Sequence, residues 1–374
     1  MENVINDEKE KNEESVINKE NNNKNNDIYL QDYLKFKKEF FKISLVLGVK
    51  FNKNITSRFV SILKPYKPPY KNVNPIKHSK DSNENIYLTK FSYDEKKILE
   101  NDILNIEKNK DLKKEDKFTI VEEQITLNIN NYSYEDVFKF FIEEEKSKKK
   151  LTDNDETIAK ILKQIPNGFE IVGKIAHFNL RDDYLKYKYF IGQLVLDKNP
   201  SISTVVNKVG KIENVYRTYE MEILAGEENY NVEHKEGNIK FKFDLRKTYW
   251  CSRLQNERDR VLNLMKKNEV LCDAFCGVGP LALRACKKGV KVYANDLNPD
   301  AFEYLNSNIK LNKLDKNNYV IKTYNMDARE FMKSLINSLA SILYVFIILF
   351  PLSNLFNLIL LFKYSYASGF KSFA

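Results

Sequence analysis

The chain has 374 residues, of which 43% are apolar and 30% are charged, with only 11 Gly and 9 Pro. At roughly 150 residues per domain, this length and composition allow two or three domains, and they exclude a collagen, a wholly disordered chain and a multi-span membrane protein. The formal charge is +9 overall and +13 beyond residue 27, a balance that suits a nucleic-acid partner. All four cysteines lie within 36 residues of a long chain, so we expect a reducing compartment rather than a disulfide framework.

Residues 1–27 are rich in Asn, Glu and Lys. Because so few apolar side chains cannot offset the entropy lost on ordering, this segment is predicted to be a disordered tail. It is acidic and has no apolar stretch, so neither a secretory signal nor a mitochondrial presequence is expected. Residues 28–150 are predicted to form a separate region, with a helix over Tyr29–Leu47 and strands over Phe118–Val121 and Ile125–Ile129.

A charge run at Glu143–Lys150 is interpreted as a solvated helix end or linker, and we place a domain boundary there. A middle α+β domain is predicted over residues 151–250. Its first strand lies within Ile165–Leu180 and contains His177, which is interpreted as a packed or hydrogen-bonded core residue. A helix over Tyr184–Leu196 and several short strands are predicted to follow.

The sharpest local pattern is a strand, a glycine turn and a helix within Val270–Gly289. The strand ends at Asp273, the turn contains Gly277 and Gly279, and Gly289 is predicted to stop the helix. This pattern is typical of a nucleotide or nucleoside site at the carboxyl end of a parallel strand.

A second strand (Val290–Ala294), a helix (Pro299–Leu311) and a third strand (Tyr319–Tyr324) complete a β-α-β-α-β order. This order requires a parallel sheet with right-handed crossovers. The second strand is followed by Asp296 and the third by Asp327, so both acids are expected at the same edge of the sheet as the glycine turn.

Two cofactor classes use this architecture. The glycine turn and Asp296 partly fit the dinucleotide fingerprint. S-adenosylmethionine is favoured, because a carboxylate at Asp273 can face the cationic amino group of its methionine moiety but would repel a pyrophosphate. Asp296 is then expected to accept both ribose hydroxyls, and Asp327 the adenine amino group. Each acid alone is also consistent with a cap or turn residue.

A helix is predicted just upstream of the first strand, with Arg253 and Glu257 four residues apart on one face. This spacing fits an ordinary ion pair, and it also fits a carboxylate held at the mouth of the cofactor pocket. The cysteines near the glycine turn lack the C-x₂-C spacing of a zinc site and are interpreted as core residues.

Seven segments carry a resemblance to a known family, in consistent order from about Ile165 to Phe331. They are Gly173–Arg181, Ile191–Pro200, Thr204–Lys208, Tyr216–Arg217, Leu224–Glu227, Tyr249–Arg258 and Asp273–Pro280. Together they resemble the archaeal/eukaryotic tRNA (guanine-37, N1) methyltransferase family. A generic methyltransferase would share only the glycine turn and its acids, so the resemblance is specific. Residues 28–150 match the family's N-terminal tRNA-recognition region only in position and general character.

The resemblance implies methyl transfer from S-adenosyl-L-methionine to N1 of the guanosine that follows the anticodon of a tRNA. Guanine N1 carries a proton at neutral pH, so the reaction needs a general base near N1 and a cation near O6. By motif position, Glu257 is identified as the base and Arg217 as the O6 partner. The residues implied to hold the cofactor are Arg258, Asp273, Gly277, Gly279, Asp296, Leu297, Asn298, Asp327 and Ala328.

The implied fold class is α/β, a class I S-adenosylmethionine-dependent methyltransferase with a Rossmann-like parallel sheet, preceded by α+β tRNA-recognition domains. Only three strands are clear where the family has seven, so residues 251–333 are expected to form the N-terminal half of the methyltransferase domain, incomplete after the third strand. The family's fourth strand ends in Asn-Leu-Pro, and its Asn contributes to the active site. This chain has at best Leu349-Phe350-Pro351 in that place.

Residues 334–374 form an atypical hydrophobic tail, in which Ser334–Phe362 contains no charged residue. Residues 342–362 are long enough for a transmembrane helix, although the family has no membrane role. The segment is otherwise a diverged strand and helix, or a mis-spliced or frame-shifted end. The last is favoured, because AT-rich non-coding DNA translates mainly into these residue types.

Two rival functions remain. A non-catalytic tRNA-binding protein would keep the basic body without completing the site, whereas an NAD-dependent oxidoreductase is disfavoured by Asp273. The resemblance leaves assistance by Mg²⁺ open, and it leads us to expect a monomer in the cytoplasm, nucleus or mitochondrial matrix.

Overall fold

The computed structural model describes residues 27–78, 83–109, 118–148, 155–210, 215–316, 321–339, 344–349 and 358–363. The chain divides into two compact units, Met1–Ile165 and Pro166–Ala374, whereas the sequence places boundaries near residues 150 and 250. The predicted tail at residues 1–27 lies outside the described residues, apart from Asp27.

The first unit is built on an antiparallel sheet with the strand order β2-β3-β1-β4. Its elements are α1 (Ile28–Glu39), β1 (Lys42–Asn52), α2 (Thr56–Leu63), β2 (Ile76–His78), β3 (Glu84–Leu88), α3 (Lys96–Asn109), β4 (Thr119–Leu127), α4 (Tyr134–Ser147) and α5 (Asp155–Lys163). Alternate β1 side chains, Leu47, Val49 and Phe51, pack against apolar residues of α2 and α3. The sheet and these two helices therefore share one core.

Two predictions for this unit are wrong. The helix expected over Tyr29–Leu47 ends at Glu39, because Phe40 is extended and the following aliphatic residues pair as β1. The two strands expected between residues 118 and 129 are the single strand β4. Its polar middle, Glu122–Gln124, continues the ladder with β1, since an edge strand can turn such side chains to solvent.

The second unit contains three sheets, with strand orders β5-β6-β7-β8, β9-β10 and β13-β12-β11-β14-β15. Its first elements are β5 (Glu170–Val172), β6 (Ile175–Phe178), α6 (Asp182–Leu185), α7 (Lys188–Lys198), β7 (Thr204–Val209), β8 (Glu220–Gly226), β9 (Asn231–Glu236), β10 (Ile239–Asp244) and α8 (Gln255–Leu264). Its remaining elements are β11 (Val270–Asp273), α9 (Ala282–Lys288), β12 (Lys291–Asn295), α10 (Pro299–Leu311), β13 (Ile321–Tyr324), α11 (Ala328–Leu339), β14 (Tyr344–Leu349) and β15 (Leu358–Lys363).

The five-stranded sheet confirms the predicted α/β class. Strands β11 to β14 are parallel, with β11 between β12 and β14. Gly289 ends α9 in a left-handed conformation, as expected of a helix stop. The strands therefore present their carboxyl ends at one edge, where the candidate site lies.

The expectation that the sheet stops after its third strand is wrong. Strand β14 pairs with β11 in parallel, with Val270 opposite Val345, and β15 pairs with β14 in antiparallel. A strand placed between two others in a helix-covered sheet is apolar on both faces, which accounts for the uncharged sequence of β14. No helix among the described residues is long and apolar enough to cross a bilayer.

The β9-β10 hairpin joins the core of the second unit. Trp250 stacks on Phe243 with ring centroids 5.1 Å apart. The backbone N–H of Lys242 donates to Oδ1 of Asn308 on α10 at 2.8 Å, and the N–H of Lys240 donates to Oδ1 of Asn312 at 2.9 Å. These side chains satisfy backbone groups at the hairpin edge and fix the hairpin against the Rossmann-like layer.

Candidate cofactor site and active site

The glycine turn after β11 is joined to the end of β12 by a carboxylate. The backbone N–H of Gly277 donates to Oδ2 of Asp296 at 2.7 Å, and the N–H of Asn298 donates to Oδ1 at 2.9 Å. Gly277 has φ +54° and Gly279 has φ +91°, a region in which other residues are strained. A Cβ on Gly279 would also collide with Leu283, whereas the space beside Gly277 is open.

Asp273 is the least compensated carboxylate at this edge. It is 2% exposed, and its Oδ1 accepts a long hydrogen bond of 3.4 Å from the N–H of Phe275. Burial, together with the neighbouring charge of Asp296, raises the pKa of Asp273 to about 7. A cation placed in the open space would stabilise the ionised carboxylate. The donor set therefore fits a ligand with a cationic group, such as the amino group of S-adenosylmethionine.

The Asp296 carboxylate can accept further hydrogen bonds besides those from the backbone. Burial raises its pKa, and the N–H donors of Asn298 and Gly277 act in the opposite direction. A carboxylate has about four lone-pair positions, so each oxygen can accept a ribose hydroxyl in addition to its backbone donor. The same side chain is thus suited both to hold the glycine turn and to bind a ribose.

Asn295 is a positioning residue that the sequence reasoning missed. This fully buried side chain donates to the carbonyl oxygen of Ala274 at 3.1 Å and to that of Met326 at 3.0 Å, and it accepts the N–H of Met326 at 3.2 Å. It joins the ends of all three strands that carry the acids. An uncharged polar residue directly before Asp296, at the end of a buried strand, was the available signal.

The other residues predicted at this edge have clear structural partners. Asn298 caps α10 by accepting the N–H of Asp300 at 3.0 Å and donates to the carbonyl oxygen of Lys247 at 2.8 Å. Leu297 is 39% exposed and Phe275 is 45% exposed. These two apolar side chains follow neighbouring strands, where an adenine ring would need flat apolar contacts.

Asp327 is already paired. Its carboxylate accepts Nε of Arg329 at 2.9 Å, Nη2 at 3.0 Å and the backbone N–H of Arg329 at 2.8 Å. These contacts lower the pKa of Asp327 to about 2. Ala328 begins α11 behind it. The predicted adenine contact of Asp327 stays a prediction, and Arg329 competes for the same oxygens.

The ion pair between Arg253 and Glu257, one of the two readings of their spacing, is wrong. Glu257 instead accepts Nε and Nη2 of Arg260 at 2.8 and 2.7 Å, in the first turns of α8, and Arg253 pairs with Glu170. Arg253 lies in the turn before α8, which begins at Gln255, so the two residues do not share a face of one α-helix. Its predicted role as the base stays a prediction.

Arg217 lies in the loop between β7 and β8. It is half-buried and has φ +60°, a conformation that costs a non-glycine residue on the order of 1–3 kcal/mol. Such strain is concentrated at functional sites, which favours the role that the resemblance gives this arginine.

Every guanidinium nitrogen of Arg258 donates to a protein acceptor. Its Nε and Nη2 donate to the two carboxylate oxygens of Glu236 at 2.8 and 2.5 Å, and Nη1 donates to the carbonyl oxygen of Cys251 at 3.2 Å. Arg284 donates to Glu236 at 2.8 Å and pairs with Asp259. We call Glu236, Arg258, Asp259 and Arg284 the arginine cluster.

Glu170 on β5 lies between His177 on β6 and Arg253, which precedes α8. His177 is buried, as predicted, and its Nε2 is 3.5 Å from a carboxylate oxygen of Glu170. Burial and the charge of Lys208 lower the pKa of His177 to about 4. Glu170 therefore faces a neutral imidazole and the charged Arg253, and it holds β5 against the segment that leads into α8.

The cysteines have the predicted structural role. Cys272, Cys276 and Cys286 are buried, and burial raises the pKa of each thiol. Within the described residues, no group of three or more His, Cys, Asp and Glu side chains is arranged to hold a metal ion.

Two family profiles match the chain between residues 154 and 344. The TYW2 N-terminal domain matches residues 154–229, and the TRM5/TYW2 methyltransferase domain matches residues 232–344. The second profile includes the β9-β10 hairpin together with the glycine turn and its acids.

Curated relatives carry the description tRNA (guanine(37)-N(1))-methyltransferase. One from Dictyostelium discoideum is 38% identical over 304 residues, which cover 80% of this chain and 60% of that protein. One from Schizosaccharomyces pombe is 49% identical over 174 residues, which cover 46% of this chain and 39% of that protein. The chain thus spans about three fifths or less of the length of these relatives.

Two solved structures share the architecture. Trm5b from Pyrococcus abyssi is 29% identical with a TM-score of 0.52, covering 76% of this chain and 73% of that one. A structure described as the complex of aTrm5 and tRNALeu is 25% identical with a TM-score of 0.54, covering 81% of this chain and 86% of that one.

Proposed function

We propose that the chain is a member of the TRM5/TYW2 methyltransferase family and that it transfers a methyl group from S-adenosyl-L-methionine to N1 of the guanosine that follows the anticodon of a tRNA. The observation that carries this proposal is the buried, uncompensated Asp273 beside an open glycine turn. It is supported by relatives described as tRNA (guanine(37)-N(1))-methyltransferases and by the likeness to a structure solved with a tRNA.

The cofactor would lie along the carboxyl edge of β11 and β12. Asp273 would face its amino group, Asp296 would accept its ribose hydroxyls, and Leu297 would contact its adenine. When bound, the group supplies a methyl on a sulfonium that a nucleophile can attack. The protein's part is then to hold the guanine ring in line and to exclude water.

The remaining chemistry belongs to two side chains. Glu257 would take the N1 proton, which makes N1 nucleophilic as the methyl arrives. Arg217 would donate to O6, where negative charge develops as the proton leaves. The basic body, +13 beyond residue 27, would hold tRNA phosphates, so binding should weaken steeply with salt.

From the resemblance, we expect the protein to act as a monomer in the cytoplasm, nucleus or mitochondrial matrix. A titration of the purified enzyme with EDTA and added Mg²⁺ tests whether Mg²⁺ assists the reaction.

The proposal is tested by single-turnover methylation of a tRNA transcript that carries G37, followed by nuclease digestion and mass spectrometry of the methylated nucleoside. We expect 1-methylguanosine from the wild-type protein and none from a transcript with A37. Glu257→Gln should lower the rate by roughly 10²–10⁴ with cofactor affinity unchanged, the usual effect of losing a general base. The charge-matched control Glu303→Gln changes an exposed residue of α10 and should keep the wild-type rate.

Two outcomes would contradict the proposal. Salt-sensitive tRNA binding without methyl transfer would favour the non-catalytic tRNA-binding protein. A Glu257→Gln variant with a normal single-turnover rate and only a raised KM would overturn the role of Glu257 as the base.

A further inference from the structure

The arginine cluster joins three elements of the second unit around one buried carboxylate. Glu236 ends β9, Arg258 lies on α8 and Arg284 lies on α9. The Glu236 side chain is fully buried, and those of Arg258 and Arg284 are 5% and 10% exposed. The two arginines are matched by Glu236 and Asp259, so the cluster carries no net formal charge.

Arg258 is fixed by more than its charge. All three guanidinium nitrogens donate to protein acceptors, two of them to Glu236 and one to the carbonyl oxygen of Cys251. The guanidinium carbon also lies 5.4 Å from the centre of the Trp250 ring. A bidentate arginine–carboxylate pair fixes orientation as well as distance, so the side chain has one defined direction relative to β9.

Arg258 directly follows Glu257 in the first turns of α8. At 3.6 residues per turn, neighbouring side chains project about 100° apart. Holding Arg258 toward the hairpin therefore sets the rotation of α8 about its own axis and with it the direction of Glu257. The α8 segment is held at its other flank by the pair between Arg253 and Glu170.

We propose that Glu236 is a positioning residue for Glu257, acting through Arg258, and that Arg258 is an anchor of α8 rather than a ligand of the cofactor. This inference rests on the proposed function, because the orientation of α8 affects catalysis only if Glu257 acts as the base. It differs from the role that the resemblance gives Arg258, since each guanidinium nitrogen already donates to Glu236 or to the carbonyl oxygen of Cys251.

The experiment compares Glu236→Gln and Arg258→Lys with the control Glu233→Gln. Glu233 lies on the same strand as Glu236, but its side chain is 73% exposed and pairs with Lys242 rather than with the arginine cluster. Each protein is assayed for single-turnover methylation at saturating cofactor and tRNA, and for S-adenosylmethionine affinity by calorimetry. The titration of the Glu257 carboxyl is followed by ¹³C NMR, with its signal identified by its loss in Glu257→Gln.

We expect Glu236→Gln and Arg258→Lys to lower the single-turnover rate at least tenfold and to shift the Glu257 titration, with cofactor affinity within threefold of wild type. Glu233→Gln should leave the rate and the titration unchanged. If Glu236→Gln does not fold, Arg258→Lys decides, because it retains a cation opposite Glu236.

The proposal is overturned if Arg258→Lys weakens cofactor binding tenfold or more, or if the Glu257 titration is the same in wild type, Glu236→Gln and Arg258→Lys. An equal loss of rate in Glu233→Gln would also overturn it, since a general effect of changing a charge on β9 would then explain the result. A wild-type protein that does not methylate tRNA would defeat the proposed function, and the NMR titration would still decide whether Glu236 positions Glu257.

Discussion

Two carboxylates of the second unit, Glu236 and Asp273, are almost equally buried but differ in how their charge is compensated. Glu236 is 1% exposed and Asp273 is 2% exposed. Glu236 accepts three charge-assisted hydrogen bonds from two arginines. Asp273 accepts one long hydrogen bond from a backbone N–H and faces a second carboxylate. Burial alone therefore does not distinguish the two positions, but charge compensation does.

The difference in charge compensation distinguishes a structural carboxylate from one that binds a ligand. A buried charge that is fully paired holds elements together, and removing one partner leaves the other uncompensated. A buried charge with no cation destabilises the ligand-free fold and gains when a cation arrives. The arginine cluster fits the first description and the glycine-turn edge fits the second. The following predictions test this contrast.

The largest expected effect on stability comes from the compensated site. Glu236→Gln leaves Arg258 without its carboxylate inside the fold, so the free energy of unfolding should fall by about 3–5 kcal/mol, as for other broken buried pairs. Urea unfolding followed by the fluorescence of Trp250, the chain's single tryptophan, reports on this region because that ring lies against Arg258.

The matched control is Glu233→Gln on the same strand. Glu233 pairs with Lys242 at 2.5 Å, but its side chain is 73% exposed, and exposed pairs contribute little. We expect no measurable change in the unfolding midpoint. Equal effects of the two substitutions would mean that burial of the arginine cluster adds nothing to stability.

The same contrast explains what the sequence can and cannot predict. The strand end at Asp273, the glycine turn that follows it and the bounds of α10 are predicted correctly because strand, turn, cap and helix signals are local in the chain. Glu236 and Arg258 are 22 residues apart and meet only when the hairpin packs on α8, so no spacing rule links them. The helix predicted over Tyr29–Leu47 fails for a related reason, since sheet pairing overrides a helical apolar pattern.

At the uncompensated site, Asp273→Asn should lower cofactor affinity without lowering the stability of the protein. Removing the charge should leave the unfolding free energy of the ligand-free protein at pH 8 unchanged or raised. Cofactor affinity should fall by about 1.5–3 kcal/mol, or roughly 10–150-fold, because a charged hydrogen-bond acceptor is lost. Calorimetry and urea unfolding on the same preparations measure both. A clear loss of stability with normal affinity would mean that Asp273 is structural in the way Glu236 is.

Because the pKa of Asp273 is raised, both cofactor affinity and stability should depend on pH. A cationic ligand prefers the ionised carboxylate, so affinity should rise with pH up to about 7, by at most about tenfold per unit, and then level off. Because the folded pKa is raised above the ordinary value, the stability contributed by the neutral acid is present below about pH 4 and is lost as pH rises through about 7. Calorimetry between pH 5.5 and 7 avoids titration of the ligand's own amino group, and Asp273→Asn should flatten the profile.

The smallest expected effect lies at Asp327, which shares the edge with Asp273 but is paired like Glu236. Its partner Arg329 is 87% exposed, so the pair adds little to stability, and Arg329→Ala should leave the unfolding midpoint unchanged. The substitution removes the guanidinium, which is the largest cause of the low pKa of Asp327, and leaves only backbone N–H donors to compete with an adenine amino group for its carboxylate oxygens. Cofactor affinity should therefore stay equal or rise by up to about threefold, within the range of one exposed contact, whereas Asp327→Ala should lower it.

Calorimetry on both variants distinguishes the cases, with Lys333→Ala, which changes an exposed residue of α11, as the control. If Arg329→Ala weakens binding as much as Asp327→Ala does, the two residues act together as a structural cap of α11, and the adenine contact assigned to Asp327 is wrong.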